Sequence, residues 1–210
     1  MAKASPSSCA GMSRSYALEI VQHPVRVAEC GDATLSRLPV APPPIVKLQI
    51  TGDTERTSVD ETDLPFLVAH LSLLNNEDPI SGDADSRGQF VSQHSRLYGS
   101  LVSSPHILQN LQGKQGIYFL FPDVSVRQRG QYRLCVRLLR LPMLDTAGRF
   151  AMESPQAVLA QTRSLAFDVV SRSEYVAPAQ TPLSQYFHQQ GARMYSFARS
   201  THPHAYSVHG

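Results

Sequence analysis

Short segments in which hydrophobic and polar residues alternate recur along the chain. In IVKLQI (residues 45–50), Val46, Leu48 and Ile50 alternate with Lys47 and Gln49. Because successive side chains of a strand point to opposite faces of a sheet, this pattern predicts a strand with one buried and one solvent-exposed face. Similar patterns predict further strands in YALEIV, GIYFLF and DVSVR.

The clearest alternating segment is QYRLCVRLL, at residues 131–139. Its predicted inner face is hydrophobic and comprises Tyr132, Leu134, Val136 and Leu138. Its outer face carries Arg133, Cys135 and Arg137. We therefore expect an interior strand in which the hydrophobic set is buried and the two arginines are exposed.

Two other segments complete the predicted strands. SLAFDVV repeats the alternation, with Leu165, Phe167 and Val169 predicted to face inward. FLVAHLSLL is almost continuously apolar, which favours a central strand, although a buried helical turn would have the same composition.

Helical signals are few and short. Ser104-Pro105 predicts a turn that ends before Gly113. Thr181-Pro182 is typical of a helix start, with an N-cap residue followed by proline at the first helical position, and Gly191 would end that helix. Many short strands with one or two short helices predict an all-β chain folded as a β-sandwich.

The composition agrees with short strands and many turns. The chain has 210 residues, of which 42% are hydrophobic and 17% charged, with 15 prolines and 12 glycines. A net charge of +2 is too small to indicate a polyanionic partner, so DNA binding would depend on local placement of Arg and Lys. The 3 cysteines, Cys9, Cys30 and Cys135, suit neither a disulfide framework nor a zinc site and are interpreted as reduced thiols.

The ends of the chain and its targeting signals give further expectations. Residues 1–14 are small, polar and serine-rich and are expected to form a disordered arm, residues 15–200 one domain, and residues 201–210 a flexible tail. No signal-peptide core and no apolar stretch of about 18 residues is present, so neither secretion nor a membrane partner is expected.

Motifs for catalysis or metal binding are absent from the sequence. It contains no HExxH, paired-Cys, GxSxG, P-loop or dinucleotide-binding pattern, so we expect no cofactor, no metal and no enzymatic activity. Asp83, Asp85 and Gly88 resemble the start of a calcium loop, but His94 stands where the final glutamate would be needed.

Three blocks of the sequence resemble the velvet family of fungal regulators. They are QHPVRVAECG with PVAPPPIVKLQI, the long stretch from LYGSLVSSPHILQNLQGKQG to IYFLFPDVSVRQRGQYRLCVRLL, and TPLSQYFHQQGAR. The blocks follow the family's order and span most of the chain.

The resemblance implies an immunoglobulin-like antiparallel β-sandwich related to the Rel homology domain. It also implies a protein of the nucleus, with a cytoplasmic pool, that controls development, sporulation and secondary metabolism. The implied partners are double-stranded DNA, a second velvet protein in a homodimer or heterodimer, and a methyltransferase-like regulator reached through a velvet complex.

Rel-like folds bind DNA with loops at one end of the sandwich, so the resemblance directs attention to the loop between Gln22 and Pro44. The part from Cys30 to Pro44 has little periodicity and ends in three prolines, so an exposed loop is expected there. The candidate DNA contacts are Arg26, Arg37 and Lys47. The same loop has Ala28, Leu35 and Leu38 where relatives carry basic residues, and Glu29 and Asp32 add negative charge. A deficit of cations weakens DNA binding because affinity depends on the number of phosphates neutralised.

Further arginines offer an additional basic surface. Arg127 and Arg129 flank a predicted turn, and Arg193 lies near the end of the last block. Arg133, Arg137 and Arg140 belong to the same group as Arg127 and Arg129, and a solvated sheet face is the alternative interpretation for the whole group.

Two functional hypotheses follow. The first is a DNA-binding velvet regulator that acts as a dimer. The second is an interaction subunit that contacts DNA poorly itself and modulates a DNA-binding velvet partner. An enzyme on a β-sandwich has no positive support in the sequence.

Overall fold

The computed structural model describes residues 14–32, 37–51, 63–75, 96–141 and 158–194. Nearly all of the predicted N-terminal arm, the predicted C-terminal tail and the segment with Asp83 and Asp85 lie outside the described residues. The domain limits at residues 15 and 200 therefore stay predictions.

The described residues form twelve strands and one α-helix. The strands are β1 (Ser15–Gln22), β2 (Arg26–Ala28), β3 (Ile45–Thr51), β4 (Leu67–Asn75), β5 (Leu97–Gly99), β6 (Val102–Ser103), β7 (His106–Gln109), β8 (Gln115–Leu120), β9 (Val124–Val126), β10 (Gly130–Arg140), β11 (Val158–Arg163) and β12 (Phe167–Val170). A 3-10 turn, Leu64–Phe66, leads into β4, and the helix, α1, is Pro182–Gln189. The chain is all-β in class, as predicted.

Two sheets face each other across the core. The first has four strands in the order β1-β3-β8-β7, and the second has the order β2-β12-β10-β4-β6 with β11 also paired to β10. A separate pair, β5-β9, closes one end. The prediction of a sandwich is confirmed, but the pairing is not antiparallel throughout, because β2 runs parallel to β12.

The space between the sheets is filled by the residues that the alternation predicted. Tyr132, Leu134, Val136 and Leu138 of β10 are all buried, as expected. Cys135, on the opposite face, is buried too, since it is a small residue between Arg133 and Arg137 and beside Ser72 of β4. The two arginines are half-buried rather than exposed.

A second hydrophobic layer lies outside the four-stranded sheet, where α1 covers it. Phe187 of the helix is fully buried and meets Tyr118 of β8 edge to face, with ring centroids 4.8 Å apart. The predicted cap is present, because Thr181 accepts a hydrogen bond from the Ser184 backbone N–H at 3.1 Å. Helix α1 therefore starts where the sequence predicts.

A buried polar network ties α1 to the sheet. The Gln22 side-chain amide donates to the Pro43 carbonyl at 2.6 Å and to Ser184 Oγ at 2.9 Å. Its carbonyl oxygen accepts from the Thr181 hydroxyl at 2.5 Å. All hydrogen-bonding groups of this buried amide therefore have partners, as buried polar groups require.

Three local expectations are wrong. Residues after Ser104-Pro105 form β7 instead of a helical turn, because a tight turn at Asn110 pairs this segment with β8. Leu165 is 63% exposed, since β12 begins at Phe167. The segment before β3 is not an exposed loop, because Val40 and the three prolines that follow are buried.

Candidate functional site

Four of the predicted basic residues lie at one end of the sandwich, three of them linked by contacts and the fourth, Arg26, within electrostatic range of Glu174, as Arg129 also is. They are Arg26, Arg37, Arg127 and Arg129. Arg37 and Arg127 both lie over the ring of Tyr98, with guanidinium carbons 4.8 Å and 5.6 Å from its centroid. Arg129 pairs with Glu29, just beyond β2, which begins at Arg26. These four arginines and Arg96 are called the arginine end below.

The backbone holds the arginine end together. After β2, the chain continues alongside β9, and the N–H groups of Cys30 and Gly31 donate to the carbonyls of Val126 and Arg127 at 2.9 Å and 3.0 Å. The Arg127 N–H donates to the Arg96 carbonyl at 2.8 Å. Segments from three distant parts of the sequence are thereby fixed side by side.

The Arg37 side chain is mostly buried within the arginine end. Its guanidinium pairs with Asp123 at 2.7 Å, and its side chain is only 19% exposed. The hydrogen bond to Asp123 raises the pKa of Arg37. The expectation that Arg37 belongs to an exposed loop is therefore wrong, and its cation is already engaged.

The ion pairs of Arg127 and Arg129 are more open to solvent. Arg129 Nε donates to Glu29 Oε1 at 2.8 Å, and the Arg129 side chain is 61% exposed. Arg127 Nη1 lies 3.6 Å from the carboxylate of Asp32, which is fully exposed. The Arg127 Nε is buried without an acceptor among the described residues, so this guanidinium is less well satisfied than that of Arg37.

Arg26 presents its side chain at the start of β2, where it is exposed. A further acid lies within electrostatic range of both Arg26 and Arg129, namely Glu174. Hydrogen bonds from Ser171 are the main reason that the pKa of Glu174 is lowered, and the two arginines lower it further. This carboxylate is therefore ionised and offsets part of the positive charge nearby.

The other two predicted site residues lie elsewhere. Lys47 is in the middle of β3, opposite Glu19 of β1 and Tyr118 of β8. Arg193 is exposed just after α1, between the buried Ala192 and Met194. Both therefore lie at the layer that α1 covers and not at the arginine end.

The remaining arginines of β10 do not extend the arginine end. Arg137 donates to Gln161 of β11 at 3.0 Å, on the outer face of the six-stranded sheet. Arg140 donates to the Tyr16 hydroxyl at 2.7 Å, at the opposite end of β10 from Gly130. The Arg137 contact agrees with the alternative of a polar sheet face, whereas Arg140 bonds to a residue of the four-stranded sheet.

Sequence reasoning missed two residues that organise the arginine end. Tyr98 supplies the ring on which two arginines stack, and Asp123 binds the most buried of them. Neither stands in a charge pattern or motif. The resemblance block LYGSLVSS contains Tyr98, but nothing in its letters predicts the stacking.

The described residues show no cluster of side chains that would bind a metal. No group of three or more His, Cys, Asp or Glu side chains is placed to hold a metal ion within the described ranges. Cys30 and Cys135 are free and buried, and burial is the main cause of a raised pKa in both thiols. Raised thiol pKa values oppose thiolate chemistry. None of the described helices is long and apolar enough to span a bilayer.

Comparison with known proteins points to one family. The family model described as velvet factor matches residues 16–96 and 83–196 of the chain. The arginine end lies within these matched ranges.

Similar curated proteins come from several fungi. The sexual development regulator VELC of Pyricularia oryzae is 31% identical over 194 residues, which are 90% of this chain and 42% of that protein. The developmental and secondary metabolism regulator veA of Aspergillus fumigatus is 30% identical over 206 residues, covering 88% of this chain and 36% of that protein. A protein of Chaetomium globosum that is named as part of a velvet complex is 32% identical over 163 residues, covering 76% and 33%. The chain thus spans less than half the length of these relatives.

Proposed function

The chain belongs to the velvet factor family, and from this membership we propose that it is a transcriptional regulator of fungal development, sporulation and secondary metabolism that binds double-stranded DNA. We propose that it acts as a dimer with itself or with another velvet protein, in the nucleus with a cytoplasmic pool. The relatives named as developmental regulators and as part of a velvet complex support this role. Its activity would be binding and not catalysis.

The observation that carries the proposal is the convergence of Arg26, Arg127 and Arg129 at one end of the sandwich. Arginine donates in a fork that suits phosphate oxygens and guanine edges. Arg37 is bound by Asp123 and would stabilise the interface without contacting DNA. Lys47 and Arg193 would need a second contact surface, and the proposal does not depend on them.

The test is a titration of a labelled DNA duplex at several salt concentrations, with the protein alone and mixed with a velvet partner. Replacing Arg26 or Arg129 with alanine should weaken binding to every sequence and reduce the salt slope by about 1, because each phosphate contact releases its counterions. If one of them reads guanine, its loss should instead relax specificity at one base position.

Arg137→Ala is the matched control, because it removes one positive charge from the outer sheet face. Binding that is equally sensitive to Arg137 and to the arginine end would reject a localised interface. Unchanged affinity and slope in both arginine-end variants would place DNA elsewhere.

A second candidate function has its own support. Arg37, Arg127 and Arg129 are all paired with carboxylates of the same chain, namely Asp123, Asp32 and Glu29. An interaction subunit that modulates a DNA-binding velvet partner would have no need of unpaired cations. Absence of DNA binding alone, together with altered DNA binding by the partner in the mixture, would favour this function. A methyltransferase-like regulator reached through the velvet complex is a further proposed partner.

A further inference from the structure

The ion pairs at the arginine end fall into two kinds. The pair of Arg37 with Asp123 is closed off by Tyr98 and by Ser125, to which Arg37 donates at 3.4 Å. The pairs of Arg129 with Glu29 and Arg127 with Asp32 are open, since one member of each is mostly or fully exposed. Exposed ion pairs contribute little to stability, so these two can dissociate at small cost.

A carboxylate and a phosphate make the same demand on an arginine. Both are anions that accept N–H···O hydrogen bonds from the guanidinium fork. Glu29 therefore occupies the Arg129 Nε donor that a DNA phosphate would need, and Asp32, 3.6 Å from Arg127 Nη1, competes for Arg127 through its charge. Their position on one short segment after β2 places both acids at the same rim of the sandwich.

We infer that Glu29 and Asp32 are internal competitors of DNA phosphates, each engaging one arginine of the two open ion pairs until a phosphate replaces it. This inference rests on the proposed DNA-binding function and adds how that binding is limited. Arg127 and Arg129 are the residues released by the exchange, whereas Arg37 keeps Asp123 throughout. DNA binding by the domain is consequently weaker than its arginines alone would support.

The first experiment removes the competing charge and keeps the shape. Glu29→Gln and Asp32→Asn are each expected to bind a DNA duplex about twofold to fivefold more tightly, the range set by the strength of exposed ion pairs. The salt slope should become steeper by up to about 0.9 for each change, because one more arginine is available to release counterions. Thermal melting should stay close to that of the parent, since one member of each pair is mostly or fully exposed.

Glu19→Gln is the matched control, because Glu19 is an exposed acid on β1 that bonds to Gln49. It changes the net charge by the same amount away from the arginine end. Gains equal to that of the control in both variants would overturn the inference, since they would reflect overall charge alone.

The second experiment is a double-mutant cycle on one pair. In an Arg129→Ala background, the gain from Glu29→Gln should fall to that of the Glu19→Gln control, because the competed arginine is gone. A gain that persists without Arg129 would overturn the exchange.

Failure of the parent and every variant to bind duplex DNA, alone or with a velvet partner at low salt, would overturn the proposed function and this inference together. If the parent binds DNA but Glu29→Gln and Asp32→Asn leave its affinity unchanged, the inference alone is overturned.

Discussion

The guanidinium of Arg37 donates to the carboxylate of Asp123 at 2.7 Å, and these residues lie 86 positions apart in the sequence (123 − 37). Their contact joins the segment before β3 to the start of β9, beneath the ring of Tyr98. Because of this ion pair, Arg37, which the sequence suggests as a DNA contact, stabilises the fold.

Replacing Arg37 with alanine should therefore lower the free energy of unfolding by about 1–3 kcal/mol, the usual range for losing hydrogen bonds to a charged group. Urea denaturation would measure this change. Arg129→Ala, at an exposed pair, should stay within about 0.5 kcal/mol of the parent. Equal stability of the two variants would contradict the structural role of Arg37.

Gly99 has no room for a side chain. A Cβ on this residue would lie 1.8 Å from the Asp123 carbonyl oxygen, and its φ is +112°. Gly99→Ala should cost on the order of 3–5 kcal/mol, because the backbone of β5 and the adjoining Asp123 would have to separate. Thermal melting of the purified variant would show it.

Gly113→Ala provides the comparison for that measurement. Its φ of +75° is also unfavourable for alanine, but nothing lies within 4 Å of the added Cβ. Only the conformational cost of about 1–2 kcal/mol is expected. Similar losses at both glycines would show that the contact with Asp123 is not decisive.

The Gln22 amide should be important for holding α1 in place. Gln22→Leu removes the donor to the Pro43 carbonyl and one of the two contacts of Ser184 Oγ, which keeps the Thr181 hydroxyl, and this should cost about 1–3 kcal/mol. Hydrogen exchange of the α1 amides should rise with the loss of stability. Gln49→Leu, which breaks an exposed bond to Glu19, should have little effect on either measurement.

Stability should fall with acid partly through His23. Burial lowers the pKa of His23 from its ordinary 6.5, and its Nδ1 accepts the Leu165 N–H at 3.2 Å. Because the folded state binds the proton less readily than the unfolded state, this contribution is present above about pH 6.5 and is lost as pH falls through the lowered pKa.

The measurement is the free energy of unfolding by urea between pH 7.5 and 5. His23→Asn, whose side-chain oxygen can still accept the Leu165 N–H, should show a shallower decline than the parent. His106, whose pKa burial also lowers, should contribute to the decline that remains. An unaltered decline in the variant would exclude His23 as a contributor.

The sequence was a good guide where one segment determines its own environment. The alternation in β10 identified the buried face, and Thr181-Pro182 identified the start of α1. These features depend on neighbours within a few residues. The expectation for Leu165 is wrong because β11 ends at Arg163 and β12 begins at Phe167, so the alternation is interrupted between them.

The arginine end was harder to predict because its contacts are distant in the sequence. Arg129 and Glu29 are 100 residues apart, and no local pattern reports which acid meets which arginine. The resemblance to the velvet family directed attention to Arg26 and Arg37, but it could not separate the exposed cation from the one bound by Asp123. The three-dimensional arrangement separates them, because Arg26 is exposed and Arg37 is bound by Asp123.

The parallel pairing of β2 with β12 also sets an order of events during protein synthesis. Arg26 pairs with Asp168, so the ribosome must add 142 residues after Arg26 (168 − 26) before the two residues can pair. Contacts of such long sequence separation form late and slow the folding of a chain. The strand that begins with Arg26 must therefore wait, unpaired on this side, until almost the whole domain has left the ribosome. A nascent chain interrupted before residue 167 could carry every arginine of this surface and still lack the strand that sets Arg26 in position.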